Sequence, residues 1–147
     1  MMQDEGIGVR VVEVLQEEAD RFPRADFKDL GAGGLSLLHA AREYDKLIAI
    51  DCARMGEAPG TLKRFEPGEV SSTKEASGRS LHEADVLQVI HIARRTGDAP
   101  REVVFFGIEP AAVDFGEGLS APLRDKLDEY ATAVKRELES SQRSSSR

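Results

Sequence analysis

The chain has 147 residues, and its 27 acidic and 20 basic side chains give a formal net charge of −7. This length favours one domain, and the acidic balance disfavours nucleic acid as a partner, because nucleic-acid binding rewards clustered Lys and Arg. The one cysteine, Cys52, excludes an internal disulfide and a multi-cysteine zinc site. No apolar run reaches the roughly 20 residues that a membrane span needs. No signal peptide is evident either, so we expect a cytoplasmic protein.

Hydrophobic periodicity and turn residues predict helices that alternate with strands along the chain. In chain order these are a helix at 6–21, a short strand at 25–30, a helix at 35–41, a strand at 45–51, an edge strand at 61–65, a helix at 80–95, a strand at 102–108 and a helix from 120 to about 138. A flexible loop is predicted at 70–79. This order indicates a three-layer α/β sandwich, in which a mostly parallel twisted sheet has helices on both faces. We expect one domain over residues 1–139 and a disordered polar tail at 140–147.

The strand at 45–51 is notable because a compact apolar run ends in a carboxylate, Asp51. Such a run is typical of a buried parallel strand, and ligand-binding groups in α/β folds gather beyond the carboxyl ends of strands. Glu5 lies in the acidic turn before the first helix, and His82 lies in the first turn of the helix that follows the flexible loop. Two carboxylates and one imidazole suit nickel, zinc, iron or manganese, and three protein ligands would leave positions open for a substrate.

Each of these side chains also has a structural interpretation. Asp51 can cap the next helix, His82 can be solvated or act as a cap, and the pair Asp4-Glu5 can complement the helix dipole. Cys52 together with His82 would suit a cysteine hydrolase. A small thiol at a strand end more often serves packing alone, however.

The other candidate residues favour structural roles. His39 lies in a short apolar helix and His91 lies in the middle of an amphipathic one. The segment Gly31-Ala32-Gly33-Gly34 precedes a helix as a phosphate-binding loop would, but it lacks the Lys-Ser/Thr pair of a P-loop. Its neighbour Asp29 would also repel phosphate. We interpret the segment as a tight turn that allows another backbone, such as a peptide substrate, to approach closely.

Several short segments of the chain form an ordered set with characteristic spacing. They are Asp4-Glu5-Gly6-Ile7-Gly8-Val9-Arg10-Val11-Val12, Asp29-Leu30-Gly31-Ala32-Gly33-Gly34-Leu35, Leu47-Ile48-Ala49-Ile50-Asp51, Pro59-Gly60-Thr61, Ser80-Leu81-His82 and Phe106-Gly107-Ile108-Glu109-Pro110. From about residue 3 to 138, this set resembles the hydrogenase maturation proteases, endopeptidases that trim the large subunit of nickel–iron hydrogenases. The order of these segments is more specific to the family than any single segment is. The resemblance implies a phosphorylase/hydrolase-like α/β fold.

The resemblance also implies an activity and three site residues. Family members remove the C-terminal extension of the hydrogenase large-subunit precursor once nickel has been inserted, and they cut after a basic residue near the last metal-binding cysteine motif. Matched position by position, the family's first-loop acid falls on Glu5, its strand-end Asp on Asp51 and its His on His82. These side chains would complete the coordination of nickel carried by the substrate, so nickel would serve as the recognition signal. Peptide cleavage would then use a metal-polarised carbonyl and an activated water, or Asp51 or Glu5 as general base.

One departure from the family pattern concerns the start of the chain, because the sequence begins inside the family's first motif. Family members begin with an apolar strand and a Gly-x-Gly-Asn loop before the acid pair, and this strand is expected near the middle of the sheet. A second hypothesis is therefore a truncated, non-catalytic homologue that binds a hydrogenase subunit or a maturation factor. The third is the cysteine hydrolase that uses Cys52. The acidic composition offers no clear dimer patch, so we expect a monomer that binds neither nucleic acid nor membrane.

Overall fold

The computed structural model describes residue 4 and residues 6–29, 42–66, 92–97, 100–111 and 118–145. Its helices and strands are α1 (Ile7–Gln16), a 3-10 helix (Ala19–Arg21), β1 (Lys46–Cys52), β2 (Leu62–Phe65), β3 (Glu102–Ile108), α2 (Ala121–Asp125) and α3 (Leu127–Ser145). Residues 92–96 are also helical.

The three strands form one mixed sheet in the order β1-β3-β2. β1 and β3 are parallel, with Asp51 opposite Gly107, whereas β2 runs antiparallel to β3. β3 lies between the other two strands, and its residues from 103 to 108 are buried. β1 carries a similar apolar run, but its residues 46–51 are only partly buried. Both strands follow the composition expected of parallel strands with apolar side chains on both faces.

One face of the sheet packs against α1 and the C-terminal helices, and the opposite face is buried as well. The shared core combines α1, β3 and the C-terminal helices, through Ile7, Val11, Leu15, Val104, Phe106, Ile108, Leu123, Tyr130, Ala131 and Val134. Because side chains alternate along a strand, Val103 and Phe105 project from the other face, and both are buried there. The predicted α/β class is confirmed.

A partly buried ion-pair network fastens the amino-terminal side of β1 to α3. Glu137 of α3 binds Lys46 of β1 at 2.7 Å and Arg64 of β2 at 2.6 Å. The hydrogen bonds from Arg64 and Lys46 hold the pKa of Glu137 below its usual value. Because the folded-state pKa is lowered, this contribution to stability is present at neutral pH and is lost as the pH falls through that pKa.

Most predicted elements that fall on described residues are found near their predicted positions. The strands predicted at 45–51, 61–65 and 102–108 are confirmed as β1, β2 and β3. The first helix is confirmed as α1, although it ends at Gln16 and the 3-10 turn follows. The predicted helix at 35–41, the loop at 70–79 and the start of the helix at 80–95 lie outside the described residues.

The short strand predicted at residues 25–30 is wrong, since residues 25–29 form neither a strand nor a helix. A strand needs a partner for its hydrogen-bond ladder, and the backbone groups of this segment bond elsewhere. The N–H of Ala25 donates to the carbonyl of Phe22 at 3.0 Å, and the carbonyl of Phe27 accepts from the side-chain amide of Gln16 at 3.3 Å. The alternation was short, so local turn contacts decide the conformation.

Helix α3 continues to Ser145, beyond the predicted end near Leu138. The added length has a contact of its own, because the hydroxyl of Ser141 accepts a hydrogen bond from Lys46 at 2.7 Å. The predicted disorder of residues 140–147 and the single domain over 1–139 stay predictions. In the part of the chain that the structure describes, no helix combines the length and apolar character needed to cross a membrane.

Candidate active site

Asp51 lies at the carboxyl end of β1, one residue before the strand ends. Its carboxylate accepts a hydrogen bond from the backbone N–H of Cys52 at 2.8 Å, which orients the side chain. The strand-end position predicted for Asp51 is therefore confirmed, and it lies where ligands of α/β proteins gather. Its role in catalysis stays a prediction.

The other two predicted site residues, Glu5 and His82, lie outside the described residues. His39, His91 and the Gly31-Ala32-Gly33-Gly34 segment lie outside them as well. Within the residues that are described, no group of three or more His, Cys, Asp and Glu side chains is arranged to hold a metal ion. The described part of the chain thus places one of the three predicted site residues, Asp51.

Helix α1 approaches β1 closely at Gly8. A Cβ atom built on Gly8 would overlap the carbonyl oxygen of Ile50 and would lie 3.7 Å from the Cα of Asp51. Because only glycine leaves this space free, the first turn of α1 can lie directly against the strand end that carries Asp51. Asp4, which precedes α1 in the chain, lies at the same edge of the sheet.

We expect Gly8→Ala to lower the free energy of unfolding by about 2 kcal/mol, although alanine is the better helix former, because the methyl group overpacks a backbone contact. Gly6→Ala is the matched control, since nothing lies within 4 Å of a Cβ built on Gly6. The control should change stability by no more than about 0.5 kcal/mol. Urea denaturation measures both variants, and equal midpoints for Gly8→Ala and the parent chain would contradict the close approach of α1.

Asp4 is the residue that fastens the acidic turn, and it is only 1% exposed. One carboxylate oxygen accepts the backbone N–H of Ala111 at 2.8 Å and the hydroxyl of Ser120 at 2.8 Å. The other accepts the backbone N–H of Ser120 at 2.8 Å. A buried carboxylate is tolerated when several donors bond to it. Asp4 therefore ties the segment next to Glu5 to the connection between β3 and α2.

The turn at Pro59-Gly60 is fastened to α3 by Tyr130. Its hydroxyl donates to the carbonyl of Gly60 at 2.7 Å. Burial, followed by the negative charges of Glu129 and Asp4, raises the pKa of Tyr130 to about 12. The hydroxyl therefore keeps its proton at neutral pH and remains a hydrogen-bond donor to this turn.

Cys52 follows Asp51 in sequence but belongs to the core. Its side chain is buried with α1, β3 and α3, and alternation along β1 directs Asp51 to the opposite face of the sheet. This burial favours the packing interpretation of Cys52 over the cysteine hydrolase.

Asp4, Tyr130 and Glu109 hold this edge through hydrogen bonds to Ser120, Gly60 and Met55, and the sequence did not predict these contacts. Their partners are distant in the chain; Asp4 bonds to residues 107 and 116 positions away. Ser120 occupies the N-cap position of α2 without a side-chain capping bond. Its hydroxyl donates to Asp4 instead.

Comparison with known proteins places the whole fold in one family. The family model described as hydrogenase maturation protease matches residues 9–137. The hydrogenase expression/formation protein HupM of Azotobacter chroococcum mcd 1 is 40% identical over 127 residues, which cover 85% of this chain and 60% of HupM. The hydrogenase 2 maturation protease of Escherichia coli (strain K12) is 30% identical over 131 residues, which cover 87% of this chain and 78% of that protein.

A solved structure shows the same architecture. The hydrogenase maturating endopeptidase HybD from E. coli superposes with a TM-score of 0.81 at 27% sequence identity, and the match covers 96% of this chain and 87% of HybD. The chain spans less than two thirds of the length of two of these relatives: the match covers 60% of HupM and 57% of HupD from Thiocapsa roseopersicina. The matched family model and the identity to these relatives agree with the sequence resemblance. The chain belongs to the hydrogenase maturation protease family.

Proposed function

We propose that this chain is an endopeptidase that removes the C-terminal extension of a nickel–iron hydrogenase large-subunit precursor after nickel insertion. The family match over residues 9–137 carries the proposal. The position of Asp51 supports it, because a partly buried carboxylate lies at a strand end and the first turn of α1 packs against that strand end. A peptidase site needs such a group where a substrate can reach it.

In this proposal Asp51, Glu5 and His82 complete the coordination of nickel that the precursor carries. The nickel is part of the substrate, and oxygen and imidazole donors suit it. A precursor without nickel would give these side chains no ion to bind. Cleavage would then have to follow nickel insertion, and the metal itself would report that the large subunit is ready.

The proposed reaction is hydrolysis of one peptide bond, in which water adds to the carbonyl and the extension leaves with a free amino group. Nickel would polarise the carbonyl and lower the pKa of the attacking water. Alternatively, Asp51 or Glu5 would take the proton from the water as general base. In either route the carboxylates must be held in place, because metal and water positions are sensitive to small displacements.

The contacts of Asp4 and Gly8 support that requirement. Asp4 accepts three hydrogen bonds at 2.8 Å from the segment between β3 and α2, and Gly8 allows α1 to lie against β1. Both residues flank Glu5 along the chain.

The proposal is tested by incubating the chain with nickel-loaded and nickel-free large-subunit precursor and following cleavage by mass spectrometry. We expect cleavage of the nickel-loaded form only. Equal cleavage of the nickel-free form would contradict recognition through nickel. Stable binding of the precursor without cleavage would instead support the non-catalytic homologue. A version of the chain that begins with an added apolar strand and Gly-x-Gly-Asn loop is assayed in parallel.

The cytoplasmic location and the monomeric state of the protein stay predictions.

A further inference from the structure

The loop that follows β1, residues 53–61, is held near its middle by Glu109, a buried residue immediately after β3. Glu109 is 8% exposed, and its Oε1 atom accepts the backbone N–H groups of Met55 at 2.7 Å and Glu57 at 3.0 Å. Its own N–H donates to the carbonyl of Thr61 at 2.9 Å. Hydrogen bonds to a carboxylate are stronger than those between neutral groups. The Glu109 side chain therefore fixes the part of the loop at Met55 and Glu57, while Tyr130 holds its far end at Gly60.

The loop places Met55 at the strand end where Asp51 lies. A Cβ atom built on Gly107 would lie 3.2 Å from the sulfur of Met55, so the thioether packs over this glycine together with Ala53 and Phe65. Gly107 is the partner of Asp51 in the parallel register. Neighbouring strands lie about 4.8 Å apart, and paired residues project from the same face. Met55 is therefore beside Asp51, on the face opposite the core that α1 forms with the sheet.

We propose that Glu109 is a positioning residue that holds Met55 as an apolar wall of the site, against the peptide segment that is cleaved. This inference rests on the proposed endopeptidase function. A wall at this position limits the access of water to Asp51 from the loop side. Methionine suits the role, because its unbranched thioether adapts to side chains of different shapes.

The test compares Glu109→Leu with Glu109→Gln. Leucine has a similar size but accepts no hydrogen bond, whereas glutamine keeps one acceptor oxygen for the two N–H groups. Glu102→Leu is the matched control, because it removes a carboxylate from the start of β3, far from Glu109, and the Glu102 side chain is 53% exposed. The readouts are KM and kcat for the nickel-loaded precursor, and amide hydrogen exchange of Met55 and Glu57 in the free protein.

For Glu109→Leu we expect KM to rise about tenfold with kcat changed by no more than about twofold, because a displaced wall weakens substrate binding more than it alters the reacting groups. The amides of Met55 and Glu57 should exchange faster in this variant. Glu109→Gln should restore slow exchange and a KM within about twofold of the parent value, and Glu102→Leu should behave as the parent does. Faster exchange with an unchanged KM would overturn the inference.

A second variant keeps the inference testable if Glu109→Leu does not fold. Met55→Ala leaves every backbone hydrogen bond of the loop in place and removes only the wall, so it should raise KM about tenfold and leave exchange at Glu57 slow. An unchanged KM in Met55→Ala would refute the role of the wall. If the parent chain cleaves no precursor, the proposed function fails. Amide hydrogen exchange then tests only whether Glu109 holds the loop through its hydrogen bonds to Met55 and Glu57. Slow exchange of both amides in a folded Glu109→Leu protein would then overturn it.

Discussion

Replacing Asp51 by asparagine should reduce cleavage of the nickel-loaded precursor by at least about 100-fold, because the amide supplies neither an anionic ligand nor a general base. The fold should survive, since the asparagine oxygen can still accept the hydrogen bond that Cys52 now donates to Asp51 at 2.8 Å. Single-turnover assays on purified precursor measure the loss. Urea denaturation of the same samples shows whether the variant is folded.

Asp45→Asn is the matched control for this experiment. Asp45 immediately precedes β1, at the end of the strand opposite to Asp51, and its side chain is exposed. The control should cleave at the parent rate, so that the loss in Asp51→Asn reflects position rather than charge alone. Glu5→Ala and His82→Ala complete the series. If any two of the three site variants process the precursor normally, the assignment of Glu5, Asp51 and His82 is wrong.

The strands of this fold could be predicted because their information is local. Leu47-Ile48-Ala49-Ile50 and the run 103–106 are apolar without a polar interruption, which is the pattern of a strand buried on both faces. The position of Asp51 followed from the same pattern, because it is the first charge after an apolar run. The placement of Glu5 and His82 made them candidate ligands with other interpretations open, and the family resemblance added their expected roles with a substrate's nickel.

The residues that organise the site could not be predicted, because their partners are brought together only by the fold. Glu109 gave no signal beyond its place in a motif, since its acceptors and donors come from the loop at 53–61. Residues 25–30 illustrate the opposite error: a local alternation predicted a strand, but the backbone there bonds to a turn and to a side chain of α1. Local pattern is a weak guide where tertiary partners decide the conformation.

Among the carboxylates that the structure describes, removal of Asp4 should lower the free energy of unfolding the most. Asp4→Ala leaves three donors without their acceptor: the partly buried backbone N–H groups of Ala111 and Ser120 and the hydroxyl of Ser120. Each such group costs about 1–3 kcal/mol, so we expect the free energy of unfolding to fall by about 3 kcal/mol. For a chain of this size that corresponds to a decrease in Tm of roughly 6–12 °C. Asp4→Asn should lower the free energy of unfolding by about half as much. The asparagine side chain keeps one oxygen as an acceptor, but its NH2 group then faces another donor.

Asp125→Ala separates this effect from a general loss of negative charge, because the side chain of Asp125 on α2 is 74% exposed. It should change the free energy of unfolding by no more than about 0.5 kcal/mol. Cleavage by Asp4→Ala, measured at a temperature where the variant is folded, should also fall by about tenfold, since the residue next to Glu5 has lost its anchor and catalytic groups depend on fixed geometry. A variant that is destabilised yet cleaves at the parent rate would show that Asp4 supports the fold without positioning the site. A variant as stable as the parent would contradict the buried contacts themselves.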